Sequence, residues 1–137
     1  ATMFSPGTEK PDSAWRFNAD MQLFAIRSSS PDPSAYMLFW TCSQIPQKAN
    51  DWRGLNFERW CSEEYDALYT QSTPELDPET RQQIFIQMND LMIEDVVMIP
   101  LVLTAQISGV SQDIEGIDPT PWDTDLWNIK DWRRISP

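Results

Sequence analysis

Residues 59–103 read RWCSEEYDALYTQSTPELDPETRQQIFIQMNDLMIEDVVMIPLVL, and they predict two helices joined by a short turn and followed by a buried strand. Ser62 is placed to cap the first helix, with Glu63 and Glu64 in its first turn facing the positive end of the helix dipole. Tyr65, Leu68 and Tyr69 then fall on one face at spacings of three and four. Pro74 closes that helix, Asp77 caps the next, and Pro78 occupies a first position that needs no backbone N–H. Ile84, Phe85, Met88, Leu91 and Met92 form one apolar stripe, while Gln82, Gln83, Gln87 and Asp90 fall off it. Glu94 and Asp95 end the helix. Val96 to Leu103 is an apolar run short enough for a strand.

Outward from this stretch, the composition sets limits. A chain of 137 residues is about one domain's worth and can bury a core. It is 41% hydrophobic, with 4 Gly but 11 Pro, which favours many well-defined turns. A net charge of −11 argues against nucleic acid and anionic membrane surfaces, both of which attract Lys and Arg. No segment approaches the roughly 20 apolar residues of a membrane span. No signal-peptide pattern opens the chain, so Ala1 is not read as the start of a precursor. The absence of histidine removes Ser-His-Asp and Cys-His catalysis and His-containing zinc sites. Two cysteines cannot build a four-thiolate metal site. Cys42 and Cys61 flank a loop rich in Pro, Asn and Gln, and as residues they fit either free thiols or a disulfide.

In order and spacing, several short runs form a recognisable set. Arg59-Trp60-Cys61 precedes a helix containing Tyr65, Asp66 and Leu68. Asp77-Pro78-x-x-Arg81 opens the long helix, and an acidic turn then runs into Ile99-Pro100-Leu101. The set resembles the C-terminal part of the extracytoplasmic solute-binding proteins of peptide-type ABC transporters, the dipeptide- and oligopeptide-binding family. The resemblance extends from about Phe17 to Trp132. It implies an α+β fold of α/β-like character: the C-terminal part of one lobe of a two-lobed protein, with an αα-hairpin and other helices packed on a mixed sheet. Family members are several times longer, so the chain is expected to be an excised portion, with residues 1–14 a loop or frayed end and 15–137 a partial lobe. Members often carry a disulfide across the same loop, which implies a Cys42–Cys61 bridge and an oxidising, periplasmic or extracytoplasmic location.

The remaining elements follow in order. In Phe17 to Ile26, Met21, Leu23 and Ala25 alternate with Asp20, Gln22 and Phe24, which predicts a strand with one buried face. It resembles the family's core strand leading into the ligand cleft. Asp32 before Pro33 reads as an N-cap opening a short helix through Tyr36, Met37, Phe39 and Trp40. The same strand-to-helix turn presents donors to a cleft, so Ser28, Ser29, Ser30 and Asp32 are the ligand-binding candidates. Thr41 to Phe57 is the longest stretch without regular pattern, and loops of that length are usually functional or tethered. Ala105 to Val110 reads as a further strand. Pro100 puts the Val96–Leu103 strand at an edge or a bulge. The final run from Asp125 to Trp132 resembles the family's last strand, returning apolar side chains to the core.

The resemblance implies a binding module that delivers peptides or similar small polar solutes to membrane permease subunits, with no catalysis, no cofactor and no metal. Its partners would be that solute, the permease and the remaining lobes. One departure concerns the ligand's amino terminus. Peptide binders place an acidic residue about three positions before the acidic residue of this turn's Asp-Pro step, and here that position is Ser29. A hydroxyl offers a hydrogen bond without charge, so either the amine is not read there or Asp32 reads it. A competing class is a carbohydrate binder or glycoside hydrolase, because 7 Trp and 21 acidic residues suit sugar stacking and paired carboxylates. Asp123 and Asp125 beside Trp122 and Trp127 are its best candidates, although alternating Asp and Trp is also the pattern of a half-exposed strand. A third reading is an interaction domain whose tryptophans are core.

Overall fold

A computed structural model of the chain describes residues 10–23, 25–26, 30–103, 107–120 and 123–135. Three α-helices, several single 3-10 turns and one short sheet make up these residues. Helix α1 (Ser34–Met37) runs directly into a 3-10 turn, Leu38–Trp40. Helix α2 spans Glu63–Ser72 and helix α3 spans Pro78–Glu94. Strands β1 (Ile114–Glu115) and β2 (Arg133–Arg134) pair antiparallel, with Ile114 opposite Arg134. The architecture is a small mixed helical domain with a two-stranded sheet, in keeping with an α+β class.

The hairpin forms as its sequence dictates. The Ser62 hydroxyl accepts a hydrogen bond from the Tyr65 N–H at 3.2 Å, and the Asp77 carboxylate accepts one from Thr80 N–H at 2.8 Å. Each satisfies a donor that the first turn leaves without an intrahelical partner. Pro78 sits in the first turn of α3, where its missing N–H has no consequence. Arg81 at the start of α3 reaches Ser72 O at the end of α2, while Tyr65 and Met92 at the far ends share one cluster. The two helices therefore run antiparallel.

Trp40, Tyr65, Ile84, Phe85, Met88 and Met92 form the buried cluster, and Ile26, Leu68, Leu91, Val97 and Met98 pack around it. Tyr65 is fully buried, so its hydroxyl needs a partner, and it donates to Met37 O at 2.8 Å. Trp60 stacks edge-on against Tyr65 at 5.0 Å and donates its indole N–H to Asp95, closing the open end of the hairpin. The core is helical. Neither β1 nor β2 contributes to it, so the expected packing of helices on a mixed sheet is not found among the described residues.

The strand predictions fail for a common reason. Val96 takes a left-handed turn at φ 52°, and Val97 N–H bonds back to Met92 O at 3.0 Å. From Ile99 to Leu103 the backbone has no ladder partner among the described residues, and Leu101, Val102 and Leu103 stand 68%, 80% and 99% exposed. Between Phe17 and Ile26 the described residues also lack a ladder. Met21, Leu23 and Ala25, expected on the buried face, are exposed, and Gln22 and Ile26 turn inward instead. Residues 107–110 are irregular, and 104–106 lie outside the described residues. The run from Asp125 to Trp132 is a turn and a 3-10 turn (Ile129–Asp131) with Leu126 and Ile129 half exposed, not a core strand. Apolar alternation marks residues able to be strands, but a strand exists only where a second edge pairs with it. Near the other end, Ser13 and Ala14, read as part of a loop, are buried at the start of a 3-10 turn (Ala14–Arg16).

Candidate functional site

The candidate turn is built from short-range polar bonds. Ser30 Oγ accepts from the Asp32 N–H at 3.1 Å, and Asp32 Oδ1 accepts from the Ser34 N–H at 2.8 Å. The N-cap of α1 is Pro33 rather than the expected Asp32, whose carboxylate instead bonds the first helical N–H from one position further out. The same carboxylate is gripped by α3. Arg81 Nη1 lies 2.7 Å from Oδ2 and Nη2 lies 3.0 Å from Oδ1, a two-pronged ion pair across 49 positions of chain. The third donor of that guanidinium, Nε, reaches Ser72 O at 3.2 Å, and its plane lies over the Phe85 ring, 4.8 Å from the centroid. Arg81 therefore locks three pieces together: the turn, the end of α2 and the start of α3. Its hydrogen bond, followed by those from Ser34, holds the Asp32 carboxyl well below its ordinary value of 3.8. Ser28 and Ser29 lie outside the described residues, so the structure brings together Ser30 and Asp32 alone of the four candidates.

Beside this fork lies an open cleft of about 440 Å3, lined by Pro33, Pro78, Arg81, Gln82, Phe85, Ile86 and Asn89. Its walls combine apolar rings and stems with two side-chain amides, the mixture that suits a small polar solute. The cleft and the turn share Pro33.

The long loop after α1 is tethered, as its length suggested. A disulfide joins Cys42 to Cys61 with their Cα atoms 4.7 Å apart, and Asp66 Oδ1 accepts from the Cys42 N–H at 3.1 Å. Inside the loop, Asn56 is wholly buried, and its Nδ2 donates to Thr41 O at 3.1 Å and to Trp60 O at 2.7 Å. It thereby bonds the backbone next to each half of the disulfide. Asn56 N–H bonds Gln44 O, and Gly54 passes so near the Gln44 carbonyl that no Cβ would fit there.

Four of the five non-glycine residues with positive φ among the described residues gather around this loop: Phe17, Asp51, Trp52 and Arg59. Arg16 stacks on Trp52 with its guanidinium carbon 3.8 Å from the ring centroid, and Arg59 lies 5.0 Å from the Phe17 ring. Such contacts are worth about 0.5–1 kcal/mol each where exposed. They offset part of the backbone cost, about 1–3 kcal/mol for each non-glycine residue in that region.

Sequence reasoning selected Arg81 as part of a helix start and missed its role as the counter-charge to Asp32. The signal was present only as charge: a carboxylate beside one proline step and a lone arginine in the first turn after another. Asn56 and Glu58 were also missed. Glu58 is half buried, burial pushes its carboxyl up, and its Oε2 meets no partner.

The alternative carboxylate pair is engaged differently. Asp123 is exposed and Asp125 partly buried; Asp123 Oδ1 accepts from Thr124 N–H, and Asp125 Oδ2 accepts from Ser108 Oγ at 2.8 Å. Trp127 donates its indole N–H to Asp118 O, and Trp122 lies outside the described residues. No group of three or more Cys, Asp or Glu side chains placed to hold a metal ion occurs among the described residues, and no helix among them is long and apolar enough to cross a membrane.

The chain matches no protein-family model, and neither the curated proteins nor the solved structures offer a match to it.

Proposed function

We propose that this chain forms part of the solute-binding component of a peptide-type ABC importer, which holds peptides or related small polar solutes and delivers them to membrane permease subunits. The observation that carries the reading is the Arg81–Asp32 fork. Arg81 comes from the Asp-Pro-x-x-Arg run of the resemblance, and its partner lies on the turn the resemblance assigns to solute. The other residues of the set act around it: Asp77 and Pro78 start α3, Tyr65 bonds the end of α1, and Cys61 and Asp66 tether the loop. A rigid turn held from behind can offer backbone and hydroxyl groups to a solute without moving, which lowers the ordering cost of binding.

Asp32 has both oxygens committed to Arg81, so on this reading the turn recognises solute through hydroxyl and backbone groups rather than as a free carboxylate. Two further features support the proposal. The disulfide fits an oxidising, extracytoplasmic compartment. The uncovered apolar run from Ile99 to Leu103 fits a sheet completed by the remaining lobes of a larger receptor. The role is one of binding, and no bond is made or broken.

The test is untargeted mass spectrometry of small molecules released when the product of the complete coding sequence, purified under native conditions, is denatured. A peptide or other polar solute present in near-stoichiometric amount is the expected result. Recovery of no small molecule, together with no thermal shift from a peptide library, would remove the proposal.

A further inference from the structure

One side chain ties both halves of the disulfide from behind. Asn56 is wholly buried, and its Nδ2 donates to Thr41 O at 3.1 Å and to Trp60 O at 2.7 Å. Thr41 and Trp60 are the residues immediately before Cys42 and Cys61. A side-chain amide carries two N–H donors, and here one goes to each of the two segments that the disulfide joins. The amide and the covalent bridge therefore tie the same two segments, one residue apart. The orientation of the amide is fixed, because exchanging its atoms would set an oxygen against two carbonyl oxygens.

Both segments are also anchored independently of the sulfur atoms. The Thr41 N–H and hydroxyl bond Leu38 O at 3.1 Å and 3.0 Å, and Cys42 N–H bonds the Asp66 carboxylate on α2. On the other side, the Trp60 indole donates to Asp95, and its ring stands edge-on against the core residue Tyr65. Asn56 is itself held through its N–H on Gln44 O at 3.1 Å, while its carbonyl accepts from Arg59 N–H at 3.3 Å. None of these bonds passes through a sulfur atom. The bridge meanwhile is open to reagents, since Cys61 is exposed and Cys42 only half buried.

We infer that Asn56 keeps the loop closed without the disulfide, so that Cys42 and Cys61 form a redox pair that opens and recloses within an unchanged fold. The reaction is thiol–disulfide exchange with a small thiol. A thiolate attacks the exposed Cys61 sulfur, the bond to Cys42 breaks, and Cys42 leaves as a thiolate. A second thiolate attacks the small-molecule sulfur of the mixed disulfide and frees Cys61. Two small thiols are thereby oxidised to one disulfide, and their two electrons and two protons pass to the cysteine pair. Oxidation by a small disulfide reverses each step. Asn56 takes no part in bond making and is a positioning residue. By holding the two thiols adjacent it keeps their effective concentration high, so the pair recloses readily. The bridge then stabilises by restricting the unfolded chain and not by shaping the folded one. This inference does not depend on the transport reading.

The experiment has two readouts on this chain. The first is hydrogen exchange of the Asn56 side-chain amide, followed by nuclear magnetic resonance with and without excess dithiothreitol. Protection in both states is expected. The second is the equilibrium with glutathione buffers of known ratio, read by acid quenching, alkylation and mass spectrometry. Wild type should favour the disulfide about a hundredfold more strongly when folded than in denaturant. Asn56→Ala should weaken that preference about tenfold or more. Leu91→Ala, which loosens the helical core away from the loop, should leave the folded-state equilibrium unchanged, which separates positioning from general stability. Loss of Asn56 protection on reduction, or a glutathione equilibrium equal in Asn56→Ala and wild type, overturns the inference. If Asn56→Ala does not fold even when oxidised, the exchange of the reduced wild type decides alone.

Discussion

Arg81 and Asp32 meet through two short charge-assisted bonds, yet Asp32 is 43% exposed at the side chain, so solvent screening limits what the pair contributes. Asp32→Asn should therefore cost about 1 kcal/mol at neutral pH, read from urea unfolding. The sign of its pH dependence follows from the depressed carboxyl. Its contribution is fully present above the ordinary value of 3.8 and is lost as pH falls below that toward the folded-state value. Wild type should thus lose more stability than Asp32→Asn between pH 5 and pH 2, about 1 kcal/mol of difference disappearing over that range. Parallel acid-unfolding curves for the two proteins would show that the fork contributes nothing. Asn56 is a stronger test of a single residue. Asn56→Ala strands the buried carbonyl of Thr41 and the part-buried one of Trp60 and should cost about 2–4 kcal/mol by chemical denaturation, whereas a surface asparagine would cost under about 0.5. At this scale the sequence revealed caps and charges but not pairings. Ser62 and Asp77 are legible because a cap bonds its own first turn, whereas the Arg81–Asp32 and Asn56 bonds join residues that only the fold brings together.

The helical hairpin was legible for the same local reason: stripe, caps and proline breaks all act within a few residues of one another. The stripe holds in detail, with Ile84, Phe85, Met88 and Met92 buried and Leu91 partly so. Phe85→Ala should cost about 3–5 kcal/mol in thermal or urea unfolding, and a loss under about 1 kcal/mol would mean that its ring is not core. The loop between α1 and α2 depends instead on its bridge. Closing this loop should stabilise the domain by about 3 kcal/mol through restriction of the unfolded chain. Thiol titration of the denatured, unreduced protein should find no free cysteine, and reduction should lower the unfolding midpoint accordingly. The strands were misread because their evidence is not local. Met21 and Leu23, and Ile99 to Leu103, carry the pattern of buried strands but have no described neighbour to pair with, and Pro100 removes one donor besides. Of the proposed site, Ser30 and Asp32 were legible as a turn before a proline step. The half-burial of Glu58 was not, since a lone carboxylate carries no sign of where the fold will place it.

Across the whole chain, the charge of −11 and the uncovered apolar run pull in opposite directions. Repulsion keeps copies apart, while Leu101, Val102 and Leu103 offer unsatisfied surface and backbone to any pairing edge. The proposed receptor reconciles them by supplying the missing strands from the rest of its lobe. It also accounts for a turn rigidly held from one side, since two-lobed receptors bury solute by closing a second surface over it. Half of such a cleft forfeits the opposing contacts and the desolvation that strengthens polar bonds, while association keeps its full translational and rotational cost. The central claim is tested most directly by isothermal calorimetry, titrating the solute recovered from the product of the complete coding sequence into that protein and into this chain alone. The account predicts saturable one-to-one binding to the former and nothing tighter than about millimolar, roughly −4 kcal/mol, to the latter. Micromolar binding by this chain alone, or no binding by either, would contradict it.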